Sequence, residues 1–383
     1  MTLEQIKKRM AESQKTQLGI GPMSKNCVDV TVDLAQEFDV PLILIASRRQ
    51  IEDRALGGGY VNRWSTDEFA SYVRERDPGR KVILARDHGG PWQNETEFQK
   101  KIDLGAAMAS AKKSYQADID AGMQLLHIDP SLDPQGAPTT DQVLDRLFEL
   151  YGFCHEYAKS KGKGVLFEIG TEEQSVDGNN PEQVEYVLNR VKKFCESGRL
   201  PLPTFMVVQT GTKVMEMRNI GTFEIHFRRH GKKLVELCEK NGTYVKGHNT
   251  DYLSDEALRN YPLLGIHAAN VGPELGVTET QALIQVMTSI RAKTWVDQFL
   301  QLAFESKKFE KWMMPGTQAT DREKSIICGH YVFGTPEFAK LREEAENLTG
   351  AKGISLSQHL KDKIRHAIVR YMSCFNLVQG ISP

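Results

Sequence analysis

An acid and an imidazole stand side by side where an apolar run stops. In ILARDHGGPW, Ile83 to Trp92, the apolar residues lead into Arg86-Asp87-His88, and Gly89-Gly90-Pro91 then break the chain. Burying ionisable groups at a strand end costs free energy unless they are paired or bind a metal. Spacing alone leaves two readings open for Asp87-His88, a metal and proton-transfer centre or a polar strand end. A second polar stop is His248-Asn249-Thr250-Asp251. A third is Glu168, a carboxylate set between Phe167 and Ile169. Imidazole with carboxylate is the ligand set of a catalytic zinc, manganese or similar divalent ion with open positions. Such an ion polarises a carbonyl and stabilises an enediolate, the chemistry of aldol, isomerase and epimerase reactions on sugars. A neighbouring carboxylate then moves the proton.

The elements that would gather these groups are short. Apolar, β-rich runs occur at 18–22, 41–47, 81–87, 125–129, 164–170, 204–210, 244–250 and 263–270. Nearly continuous apolar character is how parallel strands covered on both faces read. Helical patterns lie between them, at 24–38, 66–77, 100–121, 140–160, 181–197, 222–240 and 274–306. Leu104, Met108, Ala111, Tyr115 and Ile119 fall on one face of such a helix. Strand and helix alternating in this way predict a (β/α)8 TIM barrel over residues 1–306. The stretch after residue 307, with HLKDKIRHAIVRYMSCFNL, predicts a C-terminal helical extension over 307–383 packed on the barrel. A doubly wound sheet is the rival, but GIGPMS after the first strand lacks the dinucleotide-binding glycine pattern.

In a barrel, chemistry collects at the C-terminal strand ends, and here those ends are polar. They offer Ser47-Arg48-Arg49-Gln50, Asp87-His88, Asp129, Glu168 followed by Thr171-Glu172-Glu173, Gln209-Thr210 with Lys213, His248-Asn249 with Asp251, and His267 with Asn270. Asp129 precedes Pro130 and is also compatible with a turn cap. His127, inside an apolar strand, reads as a core residue or as support for the site. His155, His226, His230, His359 and His366 lie on predicted helices and read as solvated or structural. The glycine-rich stretches ALGGGY (55–60) and NVGPELGVTE (270–279) offer phosphate sites, the second where barrel enzymes cradle phosphate on backbone N–H groups. Arg48, Arg49, Arg86, Lys213 and Lys246 are candidate anion partners.

Bulk properties exclude several classes. The formal net charge is −1, so neither nucleic acid nor an acidic membrane is an expected partner. The six cysteines are scattered without a CxxC pair, which argues against a zinc ribbon or disulfide framework and for reduced thiols. MTLEQIKKRMAESQKT has no apolar core, so no signal peptide is expected there. No apolar run approaches the roughly 20 residues of a membrane span. A cytoplasmic location is the expectation, and a homo-oligomer is expected by analogy with barrel enzymes of this size.

Taken in order, LILIASRRQIEDRALGGGY (42–60), ILARDHGGPWQ (83–93), FEIGTEEQ (167–174), FMVVQTGTKV (205–214), VKGHNTDYL (245–253) and NVGPELGVTETQAL (270–283) resemble one family. It is the accessory, Z-type subunit of class II tagatose-bisphosphate aldolase, with the related ketose-phosphate 4-epimerases. GHYVFGTPEF (329–338) and RHAIVRYMSCFNL (365–377) are similar to that family's helical tail. The resemblance implies that Asp87 transfers the proton and that His88 and His248 bind a metal. It also matches Asp129 and Glu168 to acids of the wider class II aldolase superfamily. Those aldolases carry a further metal-binding histidine on the strand that here reads VVQTGT, where this chain offers Gln209 or Thr210. The Z-type pattern shares that lack, and its role is to support a separate catalytic subunit. Where the family tends toward SNQ, this chain has SRRQ, which implies a more anionic substrate or a local salt network.

The reading is therefore a metal-dependent enzyme working by retro-aldol and aldol chemistry on a ketose phosphate or acidic sugar, through a metal-stabilised enediolate. Asp87, Asp129 and Glu168 are the expected catalytic residues. His88, His248 and Glu168 are the expected ligands of a divalent metal, zinc first and manganese next. Arg48, Arg49, Gln50, Asn249, Asp251, Asn270 and Gly272 are expected to hold substrate or phosphate. The alternative is a non-catalytic accessory subunit that stabilises a separate aldolase subunit.

Overall fold

The computed structural model describes residues 4, 5, 8, 14–171 and 178–378, without the side chains of 224 and 226–229. Glu172-Glu173 and the side chain of His226 lie outside the described residues. The strands in chain order are β1 (Gln17–Ile20), β2 (Leu42–Ser47), β3 (Val82–Gly89), β4 (Leu125–Ile128), β5 (Leu166–Ile169), β6 (Phe205–Val208), β7 (Val214–Met215), β8 (Arg218–Asn219), β9 (Tyr244–Gly247) and β10 (Ala268–Val271). β7 and β8 make a small antiparallel pair, and the other eight close a parallel barrel in the order β1-β2-β3-β4-β5-β6-β9-β10. The expected (β/α)8 barrel is the observed fold.

The helices of the outer ring are α1 (Lys25–Glu37), α2 (Thr66–Arg76), α3 (Glu95–Lys100), α4 (Leu104–Ala121), α5 (Thr140–Ser160), α6 (Pro181–Gly198), α7 (Phe223–Lys240), α8 (Asp255–Leu263) and α9 (Pro273–Ser289). Several start at a side-chain cap that accepts an otherwise unpaired backbone N–H: Ser24 for α1, Asp103 for α4, Thr139 for α5 and Ser254 for α8. The chain goes on through α10 (Lys293–Glu305), α11 (Asp321–Cys328), α12 (Pro336–Gly350) and α13 (Leu356–Cys374).

Two sequence readings shift. The eighth strand was expected from residue 263, but Leu263 ends α8 and is 73% exposed, and the strand starts at Ala268. The long helix expected over 274–306 is two, because Arg291 at φ +62° turns the chain between α9 and α10.

Apolar side chains fill the barrel on both sides of its wall. Ile43, Ile45, Ile83, Ala85, Leu125, Leu166, Phe205 and Ala268 pack inside it. The outward residues Leu44, Leu84, Leu126 and Phe167 meet the helices. Burying each aliphatic of this size contributes about 1.5–3 kcal/mol. A second apolar cluster joins α9 and α10 to the tail through Met287, Trp295, Phe299, Phe338 and Leu360. It spans both sides of residue 306. Helix α13 returns to the barrel's own core through Ile364, Ile368 and Tyr371.

Candidate active site

Side chains on a strand repeat every two residues on one face. Ala85, Leu125 and Leu166 point into the barrel. Two residues further along the same strands come Asp87, His127 and Glu168, and β9 adds Lys246 and, just past its end, His248. Asp87, His127 and His248 line a cavity of about 570 Å³ at the C-terminal strand ends, with Glu168 and Lys246 buried against them. The His88, His127 and His248 rings lie 5.1–5.3 Å apart, centroid to centroid.

Local backbone features set these groups. The β3–β4 register shifts between Arg86 and Gly89, a bulge that turns His88 out of the strand's alternation. His88 takes φ +43°, a left-handed conformation that costs free energy in any residue but glycine. Its backbone N–H donates to Nδ1 of His127 over 3.2 Å. Glycine makes room on two sides: a Cβ at Gly170 would meet Nε2 of His127 at 2.6 Å, and one at Gly19 would collide with Asn270. Asn270 in turn donates to Oδ1 of Asp87 at 3.4 Å.

Nδ1 of His88 lies 2.6 Å from Oδ2 of Asp129, whose other oxygen accepts from the Ser131 hydroxyl and backbone N–H. A carboxylate that holds one imidazole nitrogen orients the other, the arrangement common behind metal-ligating histidines. Nε2 of His88 is 3.8 Å from Asp87. Oε1 of Glu168 is 3.1 Å from Nε2 of His248 and 3.5 Å from Nδ1 of His127, while its Oε2 accepts from Lys246 at 2.6 Å.

Electrostatics follow from this packing. Burial would raise the carboxyl of Asp87, but His88 and the other facing imidazoles outweigh it and hold Asp87 well below the carboxylate range. Asp129 is likewise held down, to about 2, by the His88 hydrogen bond and charge acting against burial. Lys246 does the same for Glu168, also to about 2. His88 moves up to about 9, because Asp87 and Asp129 overcome the effect of burial. His248 moves down, with burial dominant.

The other expected site residues divide. Arg49, Gln50, Asn249, Asp251, Asn270 and Gly272 line the cavity. Gln50 spends its amide on the Ser47 N–H and on Met23 sulfur. Asp251 does not wait for substrate: its Oδ1 accepts from the N–H groups of Gly272 and Glu274 and caps α9. Burial first, and then Glu274, raise its carboxyl to about 7. Arg48 is a correction. It is buried away from the cavity, with Nε 2.5 Å from Glu52, Nη2 2.8 Å from Glu97, and Nη1 donating to the Gly90 carbonyl. Arg86 is also structural, paired through two nitrogens with Asp118. Lys246 serves Glu168 rather than a ligand. His127, read as core or support, stands instead among the polar groups of the mouth. Its parity with Leu125 on β4 is the signal that marks it. Lys311, Trp312 and Tyr331 also line the cavity, from a tail in which no site residue was expected.

Residues 3–318 match the family described as D-tagatose-1,6-bisphosphate aldolase subunit GatZ/KbaZ-like. The chain belongs to that family. Solved structures of the same fold include one described as a probable tagatose 6 phosphate kinase from Sinorhizobium meliloti 1021. It has TM-score 0.76 and 17% identity, over 94% of this chain and 100% of that one. A fructuronate-tagaturonate epimerase, UxaE, from Cohnella laeviribosi matches at TM-score 0.59 and 12% identity, over 98% and 84%. A fructose-bisphosphate aldolase from Campylobacter jejuni matches at 0.57 and 11%, over 98% and 94%. At these identities the likeness is one of fold.

The donor set of this GatZ/KbaZ-like chain is compatible with a divalent ion. Asp87, His127, Glu168 and His248 each bring one ligand atom within 4.8 Å of the others, and His88, His127 and Asp129 form a second, overlapping group. In the first group the imidazole–carboxylate separations run from 3.1 to 4.0 Å. A tetrahedral ion with bonds of ~2.1 Å needs donors ~3.4 Å apart. The expected trio is thus split: Glu168 and His248 share one group, and His88 sits in the other. Gln209, just past the end of β6, also lines the cavity.

Proposed function

We propose that this GatZ/KbaZ-like chain is itself an enzyme. It breaks and remakes the carbon–carbon bond between the carbon next to the carbonyl and the hydroxyl-bearing carbon beyond it, in a ketose phosphate or an acidic sugar, and it needs a divalent metal, zinc first. The observation that carries the reading is the convergence of Asp87, His127, Glu168 and His248 on one cavity. A scaffold subunit has no physical need to bury that set, since desolvated carboxylates and imidazoles cost stability unless matched.

His248, Glu168 and His127, which share one donor group, would hold the ion, which would supply Lewis acidity to the substrate carbonyl and stabilise the negative charge left by bond cleavage. Asp129 fixes the ring of His88, and Lys246 leaves Glu168 one oxygen to offer. Asp87, kept ionised, takes the proton of the hydroxyl beyond the bond that breaks, and Asn270 aims it. The hydroxyl oxygen becomes an aldehyde, and the bond's electron pair passes to the carbon next to the carbonyl. Return of the aldehyde on its other face, with the proton given back to its oxygen, yields the epimer; release of the aldehyde, with a proton delivered to the carbon that holds the electron pair, yields aldol cleavage.

The accessory-subunit reading keeps one observation in its favour: Gln209-Thr210, just past the end of β6, offer no imidazole where the aldolases it resembles carry a metal-binding histidine. Metal analysis by mass spectrometry separates the two. The enzyme reading expects about one divalent ion per purified chain, lost in His248→Ala. A metal-free wild type that refuses added zinc and manganese overturns it. Six buried, unbridged cysteines support a cytoplasmic setting, and among the described residues no helix is long and apolar enough to cross a membrane.

A further inference from the structure

The usual phosphate cradle of a barrel, the N-terminus of the helix after the last strand, is already taken. The N–H groups of Gly272 and Glu274 donate to Asp251 at 3.0 and 2.8 Å. Glu274 adds a second carboxylate, which accepts from the N–H of Tyr252 and the hydroxyl of Tyr371. An anion arriving there meets two carboxyl groups, and the N–H groups of Glu274 and Leu275 are already spent on Asp251 and the Gly272 carbonyl.

The opposite situation holds at two cations of the same cavity. Arg49, from the turn after β2, and Lys311, from the tail's short turn Glu310–Trp312, both line the cavity. Neither forms a hydrogen bond or ion pair through its charged head among the described residues. Each lies in the field of the other's positive charge, and Lys311 is exposed. Lys311 is reachable from the cavity, but its ammonium lies 4.7 Å from the Trp312 ring centre and 5.3 Å from that of Tyr331. The nearby carboxylate, Glu95, is spent on Lys308 at 2.6 Å. With Arg49, Lys308 and Lys311 against Glu95, the local balance is three positive charges to one negative. The turn is held in place, since the Trp312 carbonyl accepts from Glu216 N–H at 2.7 Å and Glu216 accepts from the Thr317 hydroxyl at 2.6 Å.

We propose that Arg49 and Lys311 together form the anion subsite of this cavity, gripping a phosphate or carboxylate at one end of the substrate, so that the helical tail completes the site in place of the α9 N-terminus. This rests on the sugar-acid reading above, and it makes the tail a source of specificity. The shared chemistry is a terminal oxyanion, which arginine and lysine bind by charge-assisted hydrogen bonds.

The test is calorimetric titration of the full chain with sn-glycerol 3-phosphate and, separately, with D-glycerate, without turnover. Binding of the first alone marks a phosphate site, of the second alone a carboxylate site, and of both a site for either anion; each supports the proposal if the variants respond. Arg49→Gln and Lys311→Met should each weaken binding at least tenfold, and Lys311→Arg should keep most of it. Circular dichroism confirms that the variants fold. Wild-type affinity in both variants, or no binding of either probe by the wild type, overturns the proposal. Because the titration reads binding only, that result would leave the carbon–carbon bond reading standing, and loss of that reading would leave the titration unchanged.

Discussion

Two adjacent arginines should fail in opposite ways. Arg48 has no exposed side-chain surface, and its guanidinium serves Glu52, Glu97, Ser110 and the Gly90 carbonyl. Arg49, one residue on, is half-buried at the cavity, and its guanidinium has no ion-pair partner among the described residues. Removing one partner of a buried ion pair costs about 3–5 kcal/mol. Here Glu52 keeps hydrogen bonds from Ser114 and the Asp53 N–H, and Glu97 keeps that from Ser110 and is 11% exposed. The lower end of that range is therefore the expectation for Arg48→Met, about 3 kcal/mol, or roughly a hundredfold in the unfolding equilibrium. Arg49→Met should stay within about 0.5 kcal/mol of wild type. Equilibrium urea unfolding at constant slope reads the first quantity, and titration with glycerol 3-phosphate reads the second. Arg48→Met should be unstable and bind normally; Arg49→Met should be stable and bind poorly. A stable Arg48→Met protein with weakened ligand affinity refutes the assignment of Arg48 to the frame.

Other outcomes follow from the same geometry. Lys246→Met should cost about 3 kcal/mol because Glu168 loses its buried counter-charge, and urea unfolding of Lys246→Met with Glu168→Gln should recover most of it in a double-mutant cycle. His330 is buried in the tail, and burial, aided by Lys311, lowers its imidazole to about 3. A base depressed in the folded state contributes stability that is fully present above its unfolded value near 6.5 and is lost as pH falls below it. Between pH 6.5 and 5 the unfolded chain gains a proton that the folded one refuses, a loss of about 2 kcal/mol. His330→Phe should flatten that slope in urea unfolding measured across the range. Asp87→Asn should retain bound metal by mass spectrometry while turnover falls about 10²–10⁴-fold; loss of metal would make Asp87 a ligand instead of the proton carrier.

The barrel was legible because its strands are short, β-rich and bounded by turn residues, and the parallel sheet needs exactly such runs buried on both faces. Strand starts were less legible: Leu263 is apolar, yet it ends a helix and faces solvent, and composition alone does not separate those states. Asp87, His88 and His248 stood out as charged groups at apolar strand ends. His127 did not, because a histidine between Leu126 and Ile128 reads as core unless its parity with Leu125 is followed. The fate of the charged residues was hidden for a different reason. Arg48 and Arg49 are the same residue type one position apart, and only the approach of Glu97 from α3 commits the first to the frame. Likewise Asp251 looks like a ligand group until the start of α9 is placed on it. Lys311 is far from every strand end in sequence, and only the packing of the tail through Glu216 and Trp312 brings it to the mouth.

The central claim, that this chain alone breaks and remakes a carbon–carbon bond, is tested most directly by an NMR time course. Purified protein with zinc or manganese is incubated with a panel of phosphorylated and acidic ketoses, and His88→Ala is run beside it. The account predicts new epimer or aldehyde signals that vanish in the variant. No new signal from a metal-loaded wild type across the panel, with signal appearing once a separate aldolase subunit is added, would contradict it and establish the accessory role.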